Sequence, residues 1–174
     1  MTDASMSMDE IGKTRKPLAE FWKRFLRQKV ALVALAFLIL LIACAAAGAT
    51  GILFQPGAWY DGLAKPWFNP PRWAFPVAWT TLYVLIAWAG ARLAHLPGAG
   101  LVMALWAAQI ALNTLWTPVF FGAHRMGMGV AVIALLWLVV AALTVLAFRL
   151  DRVAGALLLP YLAWLSLAGA LNYR

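Results

Sequence analysis

The sequence predicts an all-α integral membrane bundle of five transmembrane helices, with a structured loop between the first helix and the second. Three observations carry that prediction. Of the 174 residues, 65% are hydrophobic and 11% are charged, whereas a soluble domain is about half apolar and a quarter charged. Five apolar runs each reach the ~20 residues with which a helix crosses the ~30 Å hydrocarbon core of a bilayer. Three of the four connections between these runs are short, and the fourth carries Pro56, Pro66, Pro70 and Pro71.

Residues 1–29 form a polar, basic extension, expected to be disordered at its Met- and Ser-rich start. From Glu20 to Lys29 it carries Phe21, Trp22 and Phe25 and suits a short interfacial helix. The membrane domain covers 30–174. Its first helix is expected at 30–51 and its long loop at 52–74. The remaining helices are expected at 75–94, 100–121, 129–148 and 153–173. Four prolines exclude a long regular helix from the loop. Trp59, Tyr60, Trp67, Phe68 and Trp73 make it too aromatic for a slack linker. It reads as a folded cap over one mouth of the bundle.

The single cysteine, Cys44, forms no intrachain disulfide. Leu41-Ile42-Ala43-Cys44 has the look of a lipoprotein cleavage box, and Ala45 to Ala49 that of a signal-peptidase site. The competing reading, that both are the small-residue end of a first transmembrane helix, is favoured because four further spans follow.

Charge sets the expected orientation. The net charge is +8, and seven of the fourteen basic residues precede Ala31. With no nucleic-acid-binding signature beside it, this basic run is read as attracted to anionic lipid head groups. Arg92, Arg149 and Arg152 join it on one side, against Lys65, Arg72, Arg125 and Arg174 on the other. Ten against four predicts a cytoplasmic N-terminus.

Three helices carry stripes at helical spacing that mix aromatics with small or hydrogen-bonding residues. They are Trp79, Tyr83, Ile86 and Gly90 on the second, Trp106, Gln109, Asn113 and Trp116 on the third, and Tyr161, Trp164, Ala168 and Asn172 on the fifth. Two readings fit them. One is helix packing through interhelical hydrogen bonds. The other is a shared pocket with aromatic walls and a few polar anchors. The fourth helix is mostly aliphatic and suits a scaffold or a lipid-facing position. No catalytic residues and no metal site are expected. Cysteine and histidine are too sparse to cluster, only Asp61 and Asp151 are acidic beyond the extension, and phosphate-loop and nucleophile-elbow motifs are missing. His95 and His124 sit at helix ends and read as interfacial rather than as haem ligands.

From Gly48 to Tyr173 the sequence resembles the family of translocator protein and tryptophan-rich sensory protein, also known as the peripheral-type benzodiazepine receptor family. The loop carries Trp59-Tyr60, Leu63, Lys65-Pro66, Pro70-Pro71 and Trp73 of the pattern, followed by Trp79 and Leu82-Tyr83. Next come Gln109, Leu112-Asn113, Trp116, Pro118, Phe120-Phe121-Gly122 and Met126. Pro160-Tyr161-Leu162-Ala163-Trp164 and Leu171-Asn172-Tyr173 complete it. The resemblance implies a five-helix bundle, commonly a homodimer, with a pocket closed by the first loop. It implies porphyrin or haem as ligand rather than as required cofactor, with sterol and isoquinoline or benzodiazepine compounds bound by some members. By motif, Tyr60, Trp79, Asn113, Trp164 and Ala168 would line that pocket. Tyr83, Gln109, Trp116 and Tyr161 join them from the same stripes. The family's sterol-recognition pattern is not formed, because Tyr173 is followed at once by Arg174.

The expected function is binding of a hydrophobic tetrapyrrole in a bacterial cell membrane, with a sensory or regulatory role. Trp79, Trp164 and Tyr60 would stack on the ring and Asn113 would anchor it. Lys65 and Arg72 would meet its propionates, or else only snorkel to the interface. Transport is the alternative, to be tested by liposome flux, though an inverted repeat is not evident. Light- and oxygen-dependent porphyrin breakdown is a third, tested by product formation that Trp→Phe changes abolish. A fourth is signalling through a protein partner, tested by deleting the extension.

Overall fold

The computed structural model describes residues 28–173. The basic extension expected at the N-terminus, with its interfacial helix, lies outside the described residues except for its last two. The compact body begins at Val33. Among the described residues every regular element is helical: α1 (Lys29–Leu53), a short loop helix α2 (Ala58–Asp61), α3 (Ala74–Leu93), α4 (Gly100–Thr117), α5 (Met126–Leu150) and α6 (Arg152–Tyr173). The five long helices are each long and apolar enough to cross a membrane. Their outward faces carry exposed Leu38 and Ile42 on α1, Val84 and Trp88 on α3, Leu101 and Leu115 on α4, and Leu135 and Leu138 on α5. Such a surface is stable against lipid, where every backbone polar group is already satisfied within its own helix.

The packed core lies between α3, α4, α5 and α6. Ile86, Leu93, Val140, Leu143 and Leu158 are fully buried there. Close helix approach depends on glycine at two crossings. A Cβ on Gly90 would stand 2.7 Å from Trp106 Nε1, and one on Gly155 would stand 2.4 Å from Phe148 Cγ. The Trp106 indole donates instead to the Ile86 carbonyl at 3.0 Å, tying α4 to α3. Helix α1 meets α3 through Phe37, edge-on to Trp88 at 5.4 Å, and where Leu40 and Tyr83 lie against Gly90 and Gly48 respectively. It runs unbroken through Cys44 and the alanines after it, and Cys44 is fully buried.

Two connections differ from expectation. The third span is regular only to Thr117, because Pro118 has no N–H to continue the ladder. A π-helical turn over Pro118–Gly122 follows, closed by Ala123 N–H donating to the Pro118 carbonyl at 2.8 Å. The fourth and fifth spans are longer than expected and leave a single extended residue, Asp151, between them. Its carboxylate accepts from the Val153 and Ala154 N–H groups at 2.8 and 3.0 Å, which caps α6. The same carboxylate pairs with Arg92 at the end of α3, 2.7 Å from Nη2.

At the other end of the bundle, residues 54–73 fold back as the cap foreseen. Short turns hold the proline-rich stretch, with Asn69 N–H on the Pro66 carbonyl and Ala74 N–H on the Pro71 carbonyl. Trp59 stacks on His124 with ring centres 4.3 Å apart and meets Phe120 edge-on at 5.7 Å. Tyr60 meets Phe121 edge-on at 5.5 Å. The loop is thereby seated on the π-helical turn.

Candidate functional site

Beneath the loop lies a cavity of about 590 Å³, within the ~300–1,000 Å³ usual for small-molecule sites. From α3 come Phe75, Trp79 and Tyr83. Helix α4 adds Asn113 and Trp116, the π-helical turn Phe121, and α6 Trp164 and Ala168. These residues recur every three to four positions, so each helix turns one narrow stripe inward. The loop supplies Tyr60, Lys65 and Arg72 at the mouth. The aromatic rings brace one another. Trp79 lies 5.3 Å from Tyr83, and Phe75 meets Trp164 edge-on at 5.7 Å.

Two residues expected at the ligand face stand behind it. Gln109 and Tyr161 are fully buried and lie outside the cavity lining. They belong to a hydrogen-bonded chain under the floor. The Tyr83 hydroxyl donates to Asn113 Oδ1 at 3.1 Å. Asn113 Nδ2 donates to the Tyr161 oxygen at 3.0 Å, and the Tyr161 hydroxyl donates to Gln109 Oε1 at 3.0 Å. The chain joins α3, α4 and α6, so both readings of the stripes hold at different depths: packing below, cavity wall above. Trp106, Ile86 and Gly90 belong wholly to the packing. Asn172 holds its amide against the Ala168 carbonyl and borders a smaller cavity of about 200 Å³ beside the first.

Some of the wall comes from residues to which sequence reasoning assigned other roles. Ala47, Gly48, Thr50 and Gly51 of α1 form one side. A Cβ on Gly51 would meet nothing within 4 Å, whereas one on Gly48 would stand 3.0 Å from Tyr83 Cε2, so the first glycine leaves space and the second lets the Tyr83 ring approach. Ile133 and Leu136 bring the aliphatic α5 into the wall. Neither His95 nor His124 lines the cavity.

The mouth is charged. The Arg72 guanidinium donates to the Asp61 carboxylate, and Lys65 Nζ sits 4.6 Å above the Tyr60 ring. Burial pushes the Tyr60 phenol above the ordinary tyrosine range; Arg72 opposes that rise and Asp61 adds to it. Tyr60 is therefore a neutral hydrogen-bonding group at physiological pH.

A family model described as the TspO/MBR family matches residues 27–174. The chain belongs to this family. A tryptophan-rich sensory protein of Cereibacter sphaeroides is 53% identical over 138 residues, covering 79% of this chain and 87% of that one. Protein CrtK of Rhodobacter capsulatus is 52% identical over 141 residues, covering 79% and 88%. The translocator protein of Homo sapiens is 38% identical over 121 residues, covering 66% and 71%. As a TspO-family chain with five membrane-length helices, the molecule is an integral membrane protein of the sensory and translocator type.

Proposed function

We propose that the chain binds a flat tetrapyrrole, porphyrin or haem, in the cavity beneath the loop and serves a sensory or regulatory role in a bacterial cell membrane. The observation that carries this reading is the combination of aromatic walls with two cations at the mouth. Trp79, Trp164 and Tyr60 offer faces and edges for a conjugated ring. Lys65 and Arg72 offer charge-assisted hydrogen bonds to its carboxylates. Asn113 has one N–H and one lone pair beyond those used in the buried chain, enough to anchor a polar edge. Among the described residues the lining contains no histidine, cysteine or methionine, and its tyrosines are Tyr60 and Tyr83. The recognition proposed rests on the macrocycle and its acidic substituents.

With the basic N-terminal side cytoplasmic, the loop and the cavity mouth face the opposite side of the membrane. Titrating a free-base dicarboxylate porphyrin into protein in lipid nanodiscs, and following tryptophan fluorescence, tests the reading. Saturable quenching is expected, weakened by Trp164→Phe and by Asn113→Ala. Unchanged affinity in both variants removes the site assignment.

A further inference from the structure

Lys65 and Arg72 share one acid, and that acid belongs to the lid. The Arg72 guanidinium pairs with Asp61 Oδ1. Lys65 Nζ lies 3.9 Å from the same oxygen and donates to the Asp61 carbonyl at 3.4 Å. The other carboxylate of the described residues, Asp151, is engaged with Arg92 at the far end of the bundle. Both cations line the cavity, whereas Asp61 does not. A carboxylate of the loop itself therefore holds the groups that would meet a ligand's carboxylates.

The cluster is built to exchange. Side-chain exposures of 75% for Arg72, 45% for Asp61 and 29% for Lys65 keep it in contact with solvent. Ion pairs so exposed contribute little to stability. Two cations against one carboxylate also leave the triad with a net charge of +1, which attracts a further anion. The pair is local in sequence yet bridges the loop, joining α2 to the segment just before α3.

We propose that Asp61 is a built-in competitor for the ligand's carboxylates and sets the selectivity of the cavity for acidic rings. A ligand carboxylate takes over Arg72 and Lys65, and Asp61 turns to solvent. A ligand with two carboxylates satisfies both cations and displaces Asp61 fully. A neutral ring gains nothing at this position. The inference rests on the reading that the cavity takes a conjugated ring, and it adds the residue that decides which rings bind well.

The test compares a porphyrin dicarboxylate with its dimethyl ester by fluorescence titration in nanodiscs. Asp61→Asn should bind the diacid roughly two- to fivefold more tightly, the range set by the strength of an exposed ion pair, and bind the ester as wild type does. In a Lys65→Gln/Arg72→Gln background, Asp61→Asn should give no gain. Diacid affinity unaltered by Asp61→Asn overturns the inference alone. So does an equal gain for the ester, or a gain that survives removal of both cations. A wild-type protein that binds neither compound overturns the cavity reading and this inference together.

Discussion

Tyr161→Phe removes one oxygen from the middle of the buried chain and tests what that chain holds together. Tyr161 is fully buried, and its hydroxyl both accepts from Asn113 Nδ2 and donates to Gln109 Oε1 at 3.0 Å. The substitution loses two interhelical hydrogen bonds and puts no water in their place. Hydrogen bonds between membrane helices contribute about 0.6 kcal/mol on average and up to about 1.7 kcal/mol. Two of them give a loss of about 1–3 kcal/mol. The upper half of that range is favoured here, because Gln109 Oε1 would be orphaned at a fully buried position outside the cavity lining.

The assay is reversible unfolding of the purified protein in mixed micelles, wild type against variant. A loss under about 0.3 kcal/mol would refute the reasoning, since it would mean that the two amides re-pair at no cost. A second variant sharpens the test. Tyr161→Phe combined with Gln109→Leu removes both partners of one bond and should recover part of the loss. Tyr83→Phe breaks a single bond at the cavity wall, so its cost should be about half that of Tyr161→Phe.

Three further perturbations read other parts of the molecule. Gly90→Ala forces a methyl to within 2.7 Å of Trp106 Nε1 and should cost about 1–3 kcal/mol in the same unfolding assay. Gly51→Leu places a branched side chain in the cavity at a position where a Cβ meets nothing within 4 Å; porphyrin affinity should fall about tenfold or more while the melting temperature changes little. At Asp151, burial alone would raise the carboxyl, but hydrogen bonds from Ala154, Arg92 and Val153 outweigh it and hold it below the usual carboxylate range. Its stabilisation is then complete above the unfolded value near pH ~4 and disappears as pH falls through the lower folded value. The melting temperature should drop on that acid limb, and Asp151→Asn should flatten the drop.

The parts of this fold that were legible in the sequence are those fixed by length and by period. Helices long enough to cross hydrocarbon leave few alternatives for the five spans. A 3.6-residue repeat put Trp79 with Tyr83, Asn113 with Trp116, and Trp164 with Ala168, and all six line the cavity. Space is harder to read than substance. Gly48 and Gly51 shape the wall by lacking side chains, and the same absence also marks a close helix contact. The third helix was expected to run through Pro118 to residue 121, and the π-helical turn found there depends on where the freed carbonyls find donors. Asp151 was the signal most open to use, an N-capping residue directly before an apolar run, and reading it would have shortened the last connection to one residue.

Depth along a stripe was the decisive gap. Helical period fixes the direction in which a side chain points but not how far it lies from the mouth of a bundle. Gln109 shares a face with Asn113 yet sits four residues earlier on α4, about 6 Å farther from the loop. Tyr161 precedes Trp164 on α6 in the same sense. At that level the helices close over the stripe, and Asn113, Tyr161 and Gln109 Oε1 are satisfied by one another, while Gln109 Nε2 stays buried without a partner among the described residues. The cavity floor is therefore the level at which facing helices come close enough to exchange hydrogen bonds. Asn113 stands at that boundary, with its amide committed downward to Tyr161 and its remaining capacity turned to the cavity.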